Sequence, residues 1–340
     1  MTSSASYKEE EFLLPPSFDR YEDIKSAREK ESVKVAGDPV RLNEAHDHWV
    51  LETLSLAVHR VKSERGPVPA HFAFFVMGSS GRKEQALWSD QDHGIVFDGK
   101  DASFQDYFLF LGEELREGMA VVGYPRCEGK VMASHPRWCH GLNEWKKQVD
   151  VWIENDRWES YRHLLTFIDA RMLAGKKQLL ADIKEHIFFK VSESSRILER
   201  LAENTSYLHQ GTNAFGKLLP EEKGPYAGSL HIKDVGFFPY VHAMRLLAIK
   251  EGIHTSSTLE RMNKTAEKYP FVRGKIEYFH ALLDLRASFW KSHQTYEDVH
   301  YVPVHQLTKE QKKTLKTAVK EGKHLFQQTK KSVESGEGIW

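Results

Sequence analysis

Residues 72–97 read FAFFVMGSSGRKEQALWSDQDHGIVF, and this stretch decides the fold. It opens with an uninterrupted apolar and aromatic run, as expected for a strand that is buried on both faces. Small residues then interrupt the run, a polar segment follows, and a second apolar run begins after two aspartates. The stretch therefore predicts a strand, a small-residue turn, a polar helical segment and a second strand.

The predicted turn consists of Gly78, Ser79, Ser80 and Gly81, and Arg82 follows directly. Such a turn presents backbone N–H groups and hydroxyls that can hydrogen-bond to a phosphate chain. A guanidinium adds paired, charge-assisted hydrogen bonds to phosphate oxygens. We therefore predict that these five residues bind phosphate.

Two aspartates lead into the second strand: Ser89, Asp90 and Asp92 stand just before the apolar residues that start at Ile95. Because side chains alternate along an extended chain, Asp90 and Asp92 should point to the same side. Two carboxylates beside a phosphate-binding turn suit Mg²⁺ or Mn²⁺ that is shared with substrate phosphates. Asp90 and Asp92 are therefore the predicted metal ligands and catalytic residues.

The spacing differs from that of the other common phosphate-binding loops, since there is neither G-x-x-x-x-G-K-[ST] nor G-x-G-x-x-G with a distal acid. The combination of Gly-Ser, Arg82, Glu84 and the Ser-Asp-x-Asp element resembles the nucleotidyltransferase signature of the DNA polymerase beta superfamily. It is most similar to a nucleotidyltransferase family that is often joined to CBS domains. That family is related to the uridylyltransferase that modifies the PII nitrogen-regulatory protein.

The resemblance covers residues 40 to 325 and implies a nucleoside triphosphate substrate, Mg²⁺ or Mn²⁺, and transfer of a nucleoside monophosphate to an acceptor hydroxyl. The acceptor could be a protein, as in the PII-modifying relatives, or a small molecule or RNA end. Glu84 is expected to hold Arg82 or the turn in place, and Ser89 to support the acids. An alternative is a nucleotide-binding regulatory or interaction protein that has kept the fold and lost turnover.

Composition agrees with two folded domains of an α+β protein. The 340 residues are 40% hydrophobic, and 48 basic residues balance 48 acidic ones, which argues against a general nucleic-acid binder. Cys127 and Cys139 are the only cysteines, too few for a disulfide framework or a zinc site. No apolar run is long enough to cross a membrane, and the polar start is no secretory signal. A cytoplasmic location follows as the prediction.

Apolar periodicity divides the chain into four parts. Residues 1–40 are polar, with one helix predicted on the surface, and for 41–185 the resemblance implies a nucleotidyltransferase domain with a small mixed sheet. From 186 to 330 the pattern is that of helices alone, and 331–340 form a polar tail. Ser103 and Asp106 resemble a capping box in front of an amphipathic helix. Within the second domain, a capping box predicts that the last helix begins at Thr308.

A third carboxylate is usual in this superfamily, but the sequence offers only Glu128, close to the stretch 131–133 that is predicted as a third strand. Either Glu128 serves, or the site works with two acids and substrate groups; we favour the second hypothesis.

Two further stretches resemble the family. Residues 164–175, LLTFIDARMLAG, are similar to the segment that closes the catalytic domain of the uridylyltransferases. This resemblance implies that Asp169 and Arg171 support the site. The alternative is that they form a structural ion pair. HIKDVGFFPYVHAMRLLAI resembles a segment of the helical domain, with His231 in the place of an acid. Its Lys233 and Arg245 could bind nucleotide or acceptor across the cleft, or could tie a loop to a helix.

Other candidate ligands are better explained by packing. His46 and His48 flank Asp47, but a helix directs the two rings to different faces, so surface histidines are predicted rather than a metal site. Four tryptophans at steps of seven, seven and six could stack on bases, yet this spacing favours burial on one side of helices: Trp138, Trp145, Trp152 and Trp158.

Overall fold

The computed structural model describes residues 15–213 and 215–335, so the predicted segments 1–40 and 331–340 lie partly outside the described residues. The architecture is α+β, as predicted: a mixed four-stranded sheet with helices comes first, and a largely helical region follows. The strands are β1 (Phe72–Val76), β2 (His93–Phe97), β3 (Cys139–Gly141), β4 (Arg171–Gly175), β5 (Ser229–His231) and β6 (Tyr301–Pro303). The helices are α1 (Tyr21–Val35), α2 (Pro39–Arg65), α3 (Gly78–Arg82), α4 (Ala102–Val122), α5 (Leu142–Glu154), α6 (Trp158–Ile168), α7 (Lys177–Glu193), α8 (Ser195–Asn204), α9 (Phe238–Lys250), α10 (Thr258–Thr265), α11 (Ile276–Ser288) and α12 (Lys309–Glu334).

The four-stranded sheet has the order β3-β2-β1-β4, and β1 runs antiparallel to both of its neighbours. Every residue of β1 is buried, which explains its unbroken apolar sequence. Phe72, Phe74 and Val76 belong to a core shared with α2 and α4, whereas Ala73 and Phe75 belong to the core shared with α5 to α7 and the helical region. The sheet therefore has a hydrophobic core on each face.

Three local predictions in this region are wrong. Residues 131–133 are not a strand; the chain turns there, His135 N–H donates to Met132 O, and β3 forms further on, parallel to β2. The helical segment of the quoted stretch is the Gly-Ser turn itself, α3, which ends where Lys83 adopts a positive φ of 58°. Helix α4 is capped by Asp101 rather than Ser103, since the Asp101 carboxylate accepts from Ser103 N–H.

Helix α1 is more than a surface helix. It packs against α2 and α4 and buries Tyr21 and Ile24. The Tyr21 hydroxyl donates to Glu114 at 2.8 Å, which ties α1 to α4. The N-terminal part of the described chain is therefore built into the sheet domain.

The helical region is organised around α9, most of whose residues are buried, and α12 packs along it. The predicted capping box at Thr308 is present, with Thr308 and Gln311 each bonding the backbone of the other. The expectation of helices alone is wrong, because β5 and β6 form an antiparallel two-stranded ribbon. Among the described residues, no helix combines the length and apolar character that a membrane crossing requires.

Candidate active site

Asp90 and Asp92 converge with Cys127 just before β2. One ligand atom of each residue lies within 4.8 Å of the others. Burial raises the pKa of both carboxyls, and the charge of Asp90 raises the pKa of Asp92 further. The predicted approach of the two acids is therefore present, and it is electrostatically costly without a cation.

Gly78 lies directly against Asp92. A Cβ on Gly78 would meet Asp92 Oδ2 at 2.1 Å, and the φ of Gly78 is +55°. Met77 N–H also donates to the Asp92 carbonyl at 2.8 Å, which joins the end of β1 to the acids. Glycine is thus required here both by the backbone conformation and by the carboxylate.

The remaining residues of α3 differ in exposure. Ser79 is half-buried like Gly78, whereas Ser80, Gly81 and Arg82 are buried. Ser80 Oγ has no hydrogen-bond partner among the described residues. Ser79 is therefore the hydroxyl of this turn that is most accessible beside the acids.

Arg82 is engaged by protein carboxylates. Its Nε donates to Glu84 at 2.7 Å and its Nη1 donates to Asp169 at 2.6 Å. Glu84 also accepts from the Thr258 hydroxyl, and its backbone carbonyl accepts from Arg286 at 2.6 Å. The predicted contact between Glu84 and Arg82 is present, and Arg82 is only 8% exposed because protein carboxylates accept from its guanidinium.

Asp169 is the centre of a buried ion-pair cluster. Besides Arg82, it accepts from Arg245 Nε at 2.9 Å and from Arg261 Nη1 at 2.8 Å. Burial alone would raise the pKa of Asp169, but the charges of Arg245, Arg82 and Arg261 hold it well below its usual range. Arg245 thus makes the structural contact that was one of its two predicted roles.

Arg171 holds α3 from the other side. It forms two hydrogen bonds of 2.7 Å with the Asp47 carboxylate, and it donates to the carbonyls of Ser80 at 2.9 Å and Gly81 at 3.3 Å. Gly81 is packed so closely that a Cβ would meet the Asp169 carbonyl oxygen at 1.9 Å. The Asp169–Arg171 segment therefore fixes the backbone of the turn.

The helical region closes the site with Lys233 and Tyr296. The Tyr296 hydroxyl and the positive charge of Lys233 lower the pKa of Asp90 against the larger effect of burial, and Lys233 acts in the same way on Asp92. Lys233 Nζ lies 3.3 Å from His300 Nε2 and 5.7 Å from the centre of the Tyr296 ring. The charges of Lys233 and Arg82 both act on Asp92, and Lys233 is the one of these two predicted phosphate ligands that comes from the helical region.

The other predicted residues have local roles. Ser89 is buried, accepts from Gln85 Nε2 at 3.0 Å and belongs to the loop that carries the acids. Glu128 is exposed, and Cys127 rather than Glu128 joins the acids. His93 is buried, and burial lowers its pKa to about 3.

The prediction of surface histidines and the prediction of buried tryptophans each need one correction. His46 is buried rather than on the surface, and it hydrogen-bonds with the Tyr124 hydroxyl and the Ala86 carbonyl at 2.9 Å each. The tryptophans pack as predicted except the last, which is exposed: Trp138, Trp145 and Trp152 are buried and Trp158 is 59% exposed.

Sequence reasoning missed Cys127, Tyr296 and His300. Cys127 stands one residue before Glu128, the third acid that the sequence offered and that we did not favour. Nothing local to Tyr296 or His300 signals a site, because Tyr296 acts on Asp90 and His300 contacts Lys233 only through tertiary folding.

The acid pair fits a divalent cation. Two carboxylates that converge with raised pKa values are the hard oxygen donors that Mg²⁺ and Mn²⁺ prefer. The substrate phosphates commonly supply further ligands to such an ion. Asp90 and Asp92 would hold it.

The fold and the acid pair define a nucleotidyltransferase-like protein with a sheet domain and a helical partner region. Residues 30–159 match the family model described as "Putative nucleotidyltransferase DUF294". Residues 195–333 match the model described as "Putative nucleotidyltransferase substrate binding domain". Together the two matches span most of the chain, and the protein belongs to this DUF294 nucleotidyltransferase family. No curated protein matches the chain.

Proposed function

We propose that the protein is a Mg²⁺- or Mn²⁺-dependent enzyme that transfers a nucleoside monophosphate from a nucleoside triphosphate to an acceptor hydroxyl. The observation that carries the proposal is the convergence of Asp90 and Asp92 beside Gly78, with Lys233 on the opposite side. The two family matches support it, since they assign the sheet part to a nucleotidyltransferase and the helical part to its substrate-binding domain.

Asp90 and Asp92 hold the divalent cation in this proposal. When bound, such an ion polarises the α-phosphate and offsets the charge of the departing pyrophosphate. The protein's part is to fix the two carboxylates, and the contact of Asp92 with Gly78 does so.

The phosphates of the triphosphate lie along the turn of Gly78, Ser79, Ser80 and Gly81. The Ser79 hydroxyl donates to a phosphate oxygen, because it is the half-buried hydroxyl next to the acids. Lys233 supplies positive charge from the helical side, in agreement with its influence on both carboxyls.

Arg82, Glu84, Asp169 and Arg171 position the turn. The first three form one buried ion-pair cluster, and Arg171 holds the carbonyls of the turn. Groups that favour a transition state must be held within a fraction of an ångström of their productive positions. These four residues therefore contribute by fixing the backbone of the turn.

The acceptor oxygen forms a bond to the α-phosphorus while the bond to pyrophosphate breaks in line with it, and the hydroxyl proton passes to solvent. We propose a protein as the acceptor, as in the PII-modifying uridylyltransferases that the sequence resembles, and a cytoplasmic setting. A second candidate function is nucleotide binding without turnover. It is favoured by one observation: in the part of the chain that the structure describes, the acid pair is joined by a thiol and not by a third carboxylate.

Calorimetric titration of the four ribonucleoside triphosphates, with and without Mg²⁺, tests the proposal. We expect Mg²⁺-dependent binding of one triphosphate, lost in Asp90→Asn/Asp92→Asn and retained in the control Asp98→Asn, whose side chain is exposed. Equal binding by the double variant would contradict the site.

Release of pyrophosphate in the presence of cell extract separates the two functions. Binding together with pyrophosphate release that requires Asp90 and Asp92 indicates transfer. Binding with no release from any triphosphate favours the regulatory alternative.

A further inference from the structure

We infer that the thiol of Cys127 is a third ligand of the cation held by Asp90 and Asp92, and that the site therefore prefers a borderline transition-metal ion to Mg²⁺. The inference rests on the proposed function, because it concerns the same acid pair. It adds a residue that the motif does not contain and a chemical preference that the motif does not predict.

The position of the sulfur carries the inference. Cys127 Sγ lies within 4.8 Å of one carboxylate oxygen from each aspartate, and these two oxygens lie within 4.8 Å of each other. One cation can therefore be shared by the sulfur and both carboxylates. The three donors come from two separate segments, so their convergence is a product of the fold.

The backbone around Cys127 fixes the sulfur. Residues 127–130 form a turn in which Lys130 N–H donates to the Cys127 carbonyl at 3.0 Å, and Lys130 adopts a positive φ of 55°. His93 N–H donates to the Val131 carbonyl at 3.0 Å, so this segment is bound to the one that carries the acids. Such contacts fix the position of a ligand, as the outer-shell hydrogen bonds of metal ligands do.

Cys139 is the comparison for Cys127, because its thiol has a packing role only. It lies in β3, fully buried, as part of the apolar core between the sheet and α4. Its pKa is raised by burial alone, with no charged group contributing. Cys127, by contrast, is half-buried and surrounded by the two carboxylates.

Ligand chemistry gives the direction of the preference. Mg²⁺ selects oxygen ligands, whereas thiolate is a soft donor that favours ions such as Zn²⁺ and Co²⁺. A set of two carboxylates and one thiolate, completed by phosphate oxygens, therefore suits borderline ions better than Mg²⁺. Binding requires that the thiol lose its proton to solvent as the metal–sulfur bond forms.

Co²⁺ is the probe for the test, because a cobalt–thiolate bond gives a charge-transfer absorption band in the near ultraviolet. We expect the full-length wild-type protein to show this band at one equivalent of Co²⁺. Cys127→Ser should lose the band and bind Co²⁺ about 10- to 100-fold more weakly. Cys139→Ala is the matched control and should keep both band and affinity.

Cys127→Asp provides a second variant that tests the preference itself. An all-carboxylate site should gain affinity for Mg²⁺ relative to Co²⁺ and show no band. Circular dichroism of each variant confirms that it is folded. If Cys127→Ser and Cys127→Asp retain the wild-type ratio of Co²⁺ to Mg²⁺ affinity, the inference is overturned.

The same titrations separate this inference from the proposed function. Mg²⁺-dependent triphosphate binding with no cobalt–thiolate band would refute the thiol ligand and leave the proposed function intact. A band that requires Cys127, without binding of any triphosphate in the presence of either metal, would establish the ligand and refute the proposed transfer.

Discussion

The carboxylate of Asp92 lies against the α-carbon of Gly78, so closely that a methyl group there would meet Oδ2 at 2.1 Å. This contact joins the end of β1 to the acid pair. It explains why the turn begins with glycine and why the acids stand at their observed place beside it.

Gly78→Ala should therefore displace Asp92 and abolish cation-dependent triphosphate binding. The positive φ also adds a loss of about 1 kcal/mol in the free energy of unfolding. Calorimetric titration and urea denaturation measure the two effects. Gly224→Ala is the matched control, since its φ is +82° with no atom within 4 Å of an added Cβ. It should show the loss of stability without the loss of binding.

Asp90→Asn/Asp92→Asn should change the response of the protein to metal. Neutral amides remove the repulsion between two adjacent carboxylates, so the variant without metal should be at least as stable as the wild type. A cation at about 100 times its Kd should stabilise the wild type by about 2.7 kcal/mol and the variant not at all. Thermal unfolding with and without Mn²⁺ measures this. Equal stabilisation of both proteins would place the metal elsewhere.

Asp169→Asn should be among the most destabilising single changes in the protein. It leaves Arg245 and Arg261 buried beside a neutral amide, and breaking a buried ion pair on one side costs about 3 to 5 kcal/mol. Guanidinium chloride denaturation gives the value. Asp98→Asn, which removes an exposed pair with Lys176 at 3.7 Å, should cost less than about 1 kcal/mol. Similar losses for the two variants would contradict the structural role of the cluster.

His46 should make stability sensitive to acid. Burial, and then the charge of Arg28, lower its pKa to about 3, while in the unfolded chain the pKa is near the ordinary value of 6.5. The unfolded state therefore binds the proton first, and this contribution to stability is lost as the pH falls below 6.5.

Between pH 7 and pH 5, the wild type should lose about 2 kcal/mol more than His46→Gln, which cannot titrate in this range. Urea denaturation at the two pH values measures the difference. A parallel loss in both proteins would show that His46 is not the responsible group.

The sequence predicted those parts of the structure that depend on neighbouring residues. β1, the turn, the paired aspartates and the cap at Thr308 each follow from spacing within a few positions. The fold class was confirmed because apolar periodicity changes along the chain from strands to helices.

What could not be predicted depends on contacts between distant segments. Arg82 follows the turn directly, so a phosphate contact was the natural prediction, but Asp169 lies 87 residues further on and binds it. Arg245 and Arg261 approach Asp169 over 76 and 92 positions. Short spacing in the sequence contains no information about such partners.

The ribbon of β5 and β6 was missed for a related reason. Each strand has three residues, and the two strands are separated by α9, α10 and α11. Three residues are too few to establish an alternating pattern, so only the pairing in space identifies them as strands.

The ion pairs of Asp169 also determine how the chain can be divided. Asp169 belongs to the segment that completes the four-stranded sheet, yet two of its three guanidinium partners come from α9 and α10. A fragment ending near residue 185 would retain Arg82 alone, and the complementary fragment would bury Arg261 without its counter-charge. We therefore expect the sheet part and the helical part to unfold in a single cooperative transition, which calorimetry of the full-length protein measures, rather than one after the other across the predicted boundary near residue 186.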